Sequence, residues 1–229
     1  MARGRFAIAA AELAGIGRRF YTRGWALGTS GNFSAVVSRR PLRLAITPSA
    51  MHKGELRAAD ILECDDHGAA LRSTNGRRTA PSRRPSAETL LHLEIARQRG
   101  AGAVLHTHSV WTTALSDRHA AGGGFMVEGY EMLKGLHGVS THEHREWIPI
   151  IQNDQDMPRL ARAVTATLDR FPGAHAFLLH RHGLYTWGET LADAERHVEI
   201  LEFLFETIGR TASMITEVPA GSRKLEAGS

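Results

Sequence analysis

The sequence predicts an α/β domain, and three observations point there. Apolar runs of strand length recur along the chain, at 42–46, 103–105, 147–151 and 176–179. Around them lie segments with apolar residues at three- and four-residue spacing, the clearest being Leu191, Ala194, Val198, Leu201, Phe205 and Ile208. A length of 229 residues supports one sizeable core and requires no second domain, so a single domain is expected, ordered over about 7–212 with a disordered C-terminal tail from Gly221.

In chain order, residues 7–21 are alanine-rich with Leu13, Ile16 and Phe20 on one face, an opening helix that Gly24 ends. Gly28-Thr29-Ser30-Gly31-Asn32-Phe33-Ser34 is a small-residue turn leading into the strand Ala35-Val36-Val37. Turns of this composition bring backbone N–H groups and short polar side chains close to an anion, although many are only turns. The alternating strand Leu42–Ile46 runs into a second such turn, Thr47-Pro48-Ser49, and residues 59–71 read as a helical turn, a short strand at 61–64 and a hairpin. Residues 72–84 form an arginine-rich loop or hairpin. Pro85-Ser86 opens a helix with Ser86 as its expected N-cap and Glu88 in its first turn, where the helix dipole alone favours a carboxylate. Gly122-Gly123-Gly124 marks a turn, and Glu128 to Gly135 a solvated one carrying Glu131 and Lys134. Trp147–Ile151 is a strand, Asp156 caps a helix over 157–170, and Ala176–Leu179 and Gly183–Gly188 are strands. Thr190 then opens the last helix, with Asp193 completing a capping box, and periodic signal fades after Gly209.

Composition excludes some functions. The net charge of +4 and pI near 9.7 come from a concentrated arginine stretch without aromatic or Gly-rich recognition motifs, so no nucleic-acid partner is expected. The absence of a run of about 20 apolar residues argues against a spanning helix, and a lone cysteine, Cys64, fits a reducing cytoplasm.

The candidate chemistry lies in histidine pairs. His106-Thr107-His108 and His180-Arg181-His182 each end a buried apolar run, and residues two apart on a strand share a face. Four imidazoles in this pattern are candidate metal ligands, since three nitrogen donors and an open position make a catalytic zinc site. The plainer alternative, polar residues just past strand ends, explains one pair more readily than two. A third pair, His142 and His144, lacks a buried run in front of it.

The ordered set Gly31-Asn32, Thr47-Pro48-Ser49, Pro85-Ser86-Ala87-Glu88, His106-Thr107-His108 and Arg181-His182-Gly183 resembles the class II aldolase and sugar-phosphate epimerase superfamily over roughly residues 8–210. The resemblance implies a three-layer α/β/α fold with a central, mostly antiparallel sheet, and one zinc held by His106, His108 and His182, with His180 left out. It implies a phosphate pocket from Gly31, Asn32, Ser49 and Ser86. The stretches Glu131-Met132-Leu133-Lys134-Gly135 and Arg181 to Thr190 resemble a dehydratase branch, which implies Glu131 as catalytic acid/base and dehydration of 5-methylthioribulose 1-phosphate in methionine salvage. Glu88 matches the glutamate that aldolases use at their zinc, and its role stays open between substrate binding and structure. Ala50 and Ala87 stand where aldolases commonly carry Gly and a second Ser. Within the same superfamily the alternatives are an aldolase or 4-epimerase and a non-catalytic adaptor. The resemblance also implies a homo-oligomer, with a tetramer favoured.

Overall fold

The computed structural model describes residues 2–71 and 83–216. The arginine-rich stretch and the tail therefore lie largely outside the described residues. Among the described residues, five α-helices and eight strands follow in the order α1 (Ala2–Thr22), β1 (Asn32–Arg39), β2 (Leu42–Ile46), β3 (Leu62–Cys64), α2 (Thr89–Gln98), β4 (Ala103–Thr107), α3 (Val110–His119), β5 (Gly124–Glu128), β6 (Arg145–Ile151), α4 (Met157–Arg170), β7 (Ala176–Leu179), β8 (Gly183–Gly188) and α5 (Leu191–Thr216). The strands make one sheet in the order β3-β2-β1-β4-β8-β7-β6-β5, antiparallel except where β6 meets β7.

Strand alternation sorts the core onto two faces. On one, Val104, Phe177, Leu179, Tyr185 and Trp187 pack under α2 and α4 through Leu91, Ile95, Leu160, Val164 and Leu168. On the other, Phe33 and Leu105 meet Leu13, Ile16 and Phe20 of α1, while Leu178 and Leu184 meet Leu201 and Phe205 of α5. Helices thus cover both faces, giving the three-layer arrangement with a mostly antiparallel sheet. The central strand β4 lies between β1 and β8, with His106 opposite Asn32 on one side and Tyr185 on the other.

Several elements differ from the sequence expectation, α1 and β1 by starting earlier, at Ala2 and Asn32. The helix expected from Ser86 starts at Thr89, because Pro85 still pairs with Pro48 as an isolated bridge and holds the chain extended. Glu88 is the N-cap, without a side-chain cap bond. The strand β5 follows Gly123, whose φ of 69° turns the chain directly into it, so the triple glycine opens a strand. Residues 131–135 form a 3-10 turn, in line with the turn expected there. The last helix passes Gly209 and reaches Thr216: that glycine lets the helix lie against the Trp111 ring, which a Cβ would strike. The capping box at its start forms as expected, with Asp193 N–H donating to Thr190 Oγ1 at 3.1 Å and Thr190 N–H to Asp193 Oδ2 at 3.2 Å.

Candidate metal centre and substrate pocket

His106 is the penultimate residue of β4, and alternation turns it to the same face as Val104, toward α2. Its ring is fully buried and stacks on Tyr185, with centroids 4.0 Å apart and planes 14° from parallel. Its Nδ1–H donates to the Leu184 carbonyl at 2.8 Å. In the neutral ring this fixes the tautomer and leaves Nε2 as a lone pair. Into that lone pair point His108 Nε2 at 2.7 Å and His182 Nε2 at 3.3 Å. Glu88 completes the group, its carboxylate 3.6 Å from His106 Nε2 and 3.5 Å from His182 Nε2.

The four histidines of the two pairs do not act alike. Beyond Leu179 the chain turns through Arg181 at φ 53°, and Arg181 N–H is tied to Ser116 Oγ at 2.9 Å. The turn sends His182 to the cluster and His180 outward, where it meets Gln152 at 3.0 Å and Asp117 at 3.2 Å. Gly183 permits the return of the chain along β4, since a Cβ there would collide with the Thr107 carbonyl.

Electrostatics keep the clustered rings neutral. Burial lowers His182, burial and the neighbouring His182 hold His106 well below its usual range, and burial with His106 pulls His108 down to about 2. Three neutral imidazoles with converging nitrogens, beside an acceptor-only carboxylate, form a donor set that fits a divalent cation.

The small-residue turns meet beside this cluster. Asn32 Nδ2 donates to Glu88 Oε2 at 2.6 Å and to Ser86 Oγ at 3.3 Å. Ser49 N–H donates to the Arg84 carbonyl at 2.9 Å, joining the second turn to the third. Gly31 stands at φ 72°, and a Cβ there would come within 2.8 Å of the His106 carbonyl, so glycine is required for this turn to touch β4. Ala50 adopts the same left-handed conformation at φ 55°, at a position where Gly would be free of steric cost.

Several supporting residues had no signal in the sequence. His92, fully buried on α2, accepts from Ser34 Oγ at its Nδ1, 2.7 Å away, and its Nε2–H donates to Asn32 Oδ1. The direction is set from the far end: Asn32 Nδ2 donates to Glu88 Oε2, so its carbonyl oxygen is turned to His92. Burial lowers His92 to about 4, which keeps this one-proton tautomer. Lys53, only 1 % exposed, donates to the Thr29 and Met51 carbonyls at 3.0 and 2.9 Å and thereby ties the first two turns together. Burial brings its ammonium down to about 8. Glu202 on α5 accepts from Thr107 Oγ1 at 2.9 Å, beneath the segment that carries the two histidines. Only contacts across the fold could reveal these three, because each looks like an ordinary helix or turn residue in its local context.

Glu131 lies apart from the cluster. Its side chain is 70 % exposed and pairs with Lys134, with His142 at 3.9 Å. The hydrogen bond from Lys134 lowers its carboxyl below the usual range, so it is ionised at neutral pH.

The chain belongs to the class II aldolase and adducin N-terminal domain family, whose model matches residues 11–208. Among curated relatives, it is 48 % identical over 202 residues to a methylthioribulose-1-phosphate dehydratase of Methylococcus capsulatus, an alignment covering 88 % of this chain and 93 % of that protein. It is 45 % identical over 203 residues to the methylthioribulose-1-phosphate dehydratase of Marinobacter nauticus, again over 88 % and 93 % of the two chains. Among solved structures, an L-fuculose 1-phosphate aldolase superposes with a TM-score of 0.71 at 21 % identity, covering 96 % of this chain and 90 % of that one. The L-fuculose-1-phosphate aldolase of Thermus thermophilus gives 0.67 at 22 % over 93 % and 98 %. These two likenesses concern the fold.

Proposed function

We propose that this chain is a metal-dependent hydro-lyase that dehydrates 5-methylthioribulose 1-phosphate to 5-methylthio-2,3-dioxopentyl phosphate, a step of methionine salvage. The observation that carries the reading is the 48 % identity over 88 % of the chain to a relative named for this reaction. The converging Nε2 atoms of His106, His108 and His182 support it. These three would hold zinc, which when bound supplies a Lewis acid for the substrate's carbonyl and neighbouring hydroxyl oxygens. Neutral ligands leave the cation its full double charge.

The remaining chemistry belongs to the chain's own groups. Glu131, ionised beside Lys134, takes the proton from carbon 3 and returns it to the carbon 4 hydroxyl, which leaves as water. The enol so formed tautomerises to the 2,3-diketone. The turns carrying Gly31, Asn32, Ser49 and Ser86 receive the phosphate, a remote binding contact that orients the reacting carbons. Lys53 behind the first two turns adds a positive charge to that end. Glu88 is held by Asn32 at the metal end of the pocket and borders the substrate there.

One observation favours a second reading. Glu88, not Glu131, stands within 3.6 Å of two ligand nitrogens, the position a base would hold in an aldolase or 4-epimerase. Glu131→Gln and Glu88→Gln separate the two. Dehydration predicts that Glu131→Gln loses about 10²- to 10⁴-fold in kcat, the usual contribution of a positioned acid/base, with metal content unchanged. Near-normal turnover in that variant, with cleavage to a three-carbon phosphate by the wild type, supports the second reading instead.

We also propose a cytoplasmic homo-oligomer, with a tetramer favoured. The described helices include none long and apolar enough to cross a membrane. Exposed Val110 on α3 and Phe203 on α5 offer apolar contact area for neighbouring subunits.

A further inference from the structure

At the other end of β7 from His182 lies a second group of metal-binding side chains. His144 precedes β6, Glu146 is on β6 and His175 immediately precedes β7. The four residues of β7 separate His175 from His180, five steps that span roughly 16 Å at about 3.3 Å per residue, and the two groups have no residue in common. His144 Nε2 lies 2.7 Å and His175 Nδ1 2.9 Å from Glu146 Oε2, and the three ligand atoms lie within 4.8 Å of one another.

Glu146 is 1 % exposed, and among the described residues its only ion-pair partners are these two imidazoles. A carboxylate buried this deeply requires a positive partner. The hydrogen bonds around His175 fix how its ring is turned. His175 Nε2 lies 2.8 Å from the His137 carbonyl, which only accepts, so Nε2 carries a proton and Nδ1 is the nitrogen turned to Glu146. That carbonyl is itself held in place, because His137 N–H donates to His197 Nε2 at 3.0 Å and His197 Nδ1–H donates to the Trp187 carbonyl at 2.7 Å. His175 Nδ1 then faces a carboxylate oxygen of Glu146 2.9 Å away. A proton or a metal ion fits between these two atoms, and His144 Nε2, 2.7 Å from the same oxygen, adds the third converging ligand atom that a metal site needs.

We propose that His144 Nε2, the Glu146 carboxylate and His175 Nδ1 form a second divalent-cation site, suited to zinc or a similar first-row ion. Two imidazoles and one carboxylate are a known zinc donor set. A ligand histidine whose second nitrogen donates to a backbone carbonyl is the supporting arrangement such ligands usually show, and His106 shows it too through Leu184. The rings of His144 and His175, 29 % and 17 % exposed, leave a way in from solvent and an open coordination position. Glu146 would cancel half of the cation's charge, which suits an ion that pins the starts of β6 and β7 together.

The test is metal stoichiometry on the full chain. Protein stripped with a chelator is loaded with excess Co²⁺ or Zn²⁺, freed of unbound ion by gel filtration and assayed by elemental mass spectrometry. The wild type should hold two ions per chain, falling to one in His144→Ala, in His175→Gln and, separately, in a His106→Ala, His182→Ala double variant. His144 is half-buried at the start of a strand, so its alanine variant keeps the proposal testable if changes at His175 disturb folding. With Co²⁺, the wild-type minus His144→Ala spectrum should show d–d bands of a low-coordinate nitrogen and oxygen site. One ion per chain in the wild type overturns the proposal, as does a second ion that persists in His144→Ala and His175→Gln. Retention of both ring protons on His175 at saturating metal, read by nitrogen-15 NMR, overturns it as well, since an imidazolium would then be the cation.

Discussion

The two histidine groups sit at opposite ends of the same sheet and solve different electrostatic problems. At the exit of β4, three imidazoles converge with the Glu88 carboxylate beside them, and burial keeps the rings neutral. At the entry to β6 and β7, a buried carboxylate stands at the centre and two imidazoles flank it. A cation held mainly by neutral nitrogen keeps its charge for a substrate oxygen, whereas one held through a central carboxylate spends part of that charge on the protein. The difference teaches that the number of histidines does not set the chemistry of such a site. Where the negative charge lies decides whether it polarises a ligand or braces a fold.

Deleting ligands on each side is the sharpest way to break this comparison. His182→Ala should reduce turnover to background and remove the ion of the first group, whereas His144→Ala should remove only the other ion, as read by metal content beside steady-state rates. Equal loss of turnover in both would mean that the two groups are not distinct in role.

A smaller effect is expected behind the first group. His92→Leu leaves the Asn32 carbonyl without its donor and frees the amide to flip, so Asn32 would no longer hold Glu88 and Ser86. The expected loss is about 10- to 100-fold in kcat/KM, the range for outer-shell partners of a metal site, with His92→Gln recovering part of it. A change in melting temperature without a change in kcat/KM would make His92 purely structural.

The smallest effect concerns stability. Burial pushes the Glu202 carboxyl up to about 7, above its unfolded value of about 4.3. The folded chain therefore retains a proton that the unfolded chain releases, so this contribution to stability is complete below about pH 4 and is lost as pH rises through 7. The upper limit is on the order of 4 kcal/mol, at about 1.4 kcal/mol per pH unit. Glu202→Gln still accepts from Thr107 and carries no charge, so its melting temperature should exceed that of the wild type at pH 8 by on the order of 5 °C and match it near pH 4. Parallel pH profiles would place the proton elsewhere.

Much of this was legible from the sequence, for reasons specific to each element. β2, β7, β8 and α4 coincide with the expected spans, since each is an unbroken apolar run or a clear four-residue repeat with a cap. His106 and His108 were visible because β4 is apolar up to the site. Periodicity alone also paired His180 with His182, but the left-handed Arg181 ends the strand alternation between them. The Glu146 group was not legible: its members lie 29 residues apart and meet only because β6 and β7 run parallel. Lys53 and His92 were hidden for the same reason, as their partners lie on other elements. Glu131 was marked by its motif and its exposure by the solvated turn expected around it, whereas its lying outside the histidine cluster is a feature that local sequence could not supply.

The central claim is the reaction, and its product tests it most directly. Metal-loaded protein incubated with 5-methylthioribulose 1-phosphate should convert it to a species lighter by one water, the diketone phosphate, as followed by mass spectrometry. Quantitative recovery of the unchanged ketose phosphate, or its cleavage to a three-carbon phosphate, would contradict the account.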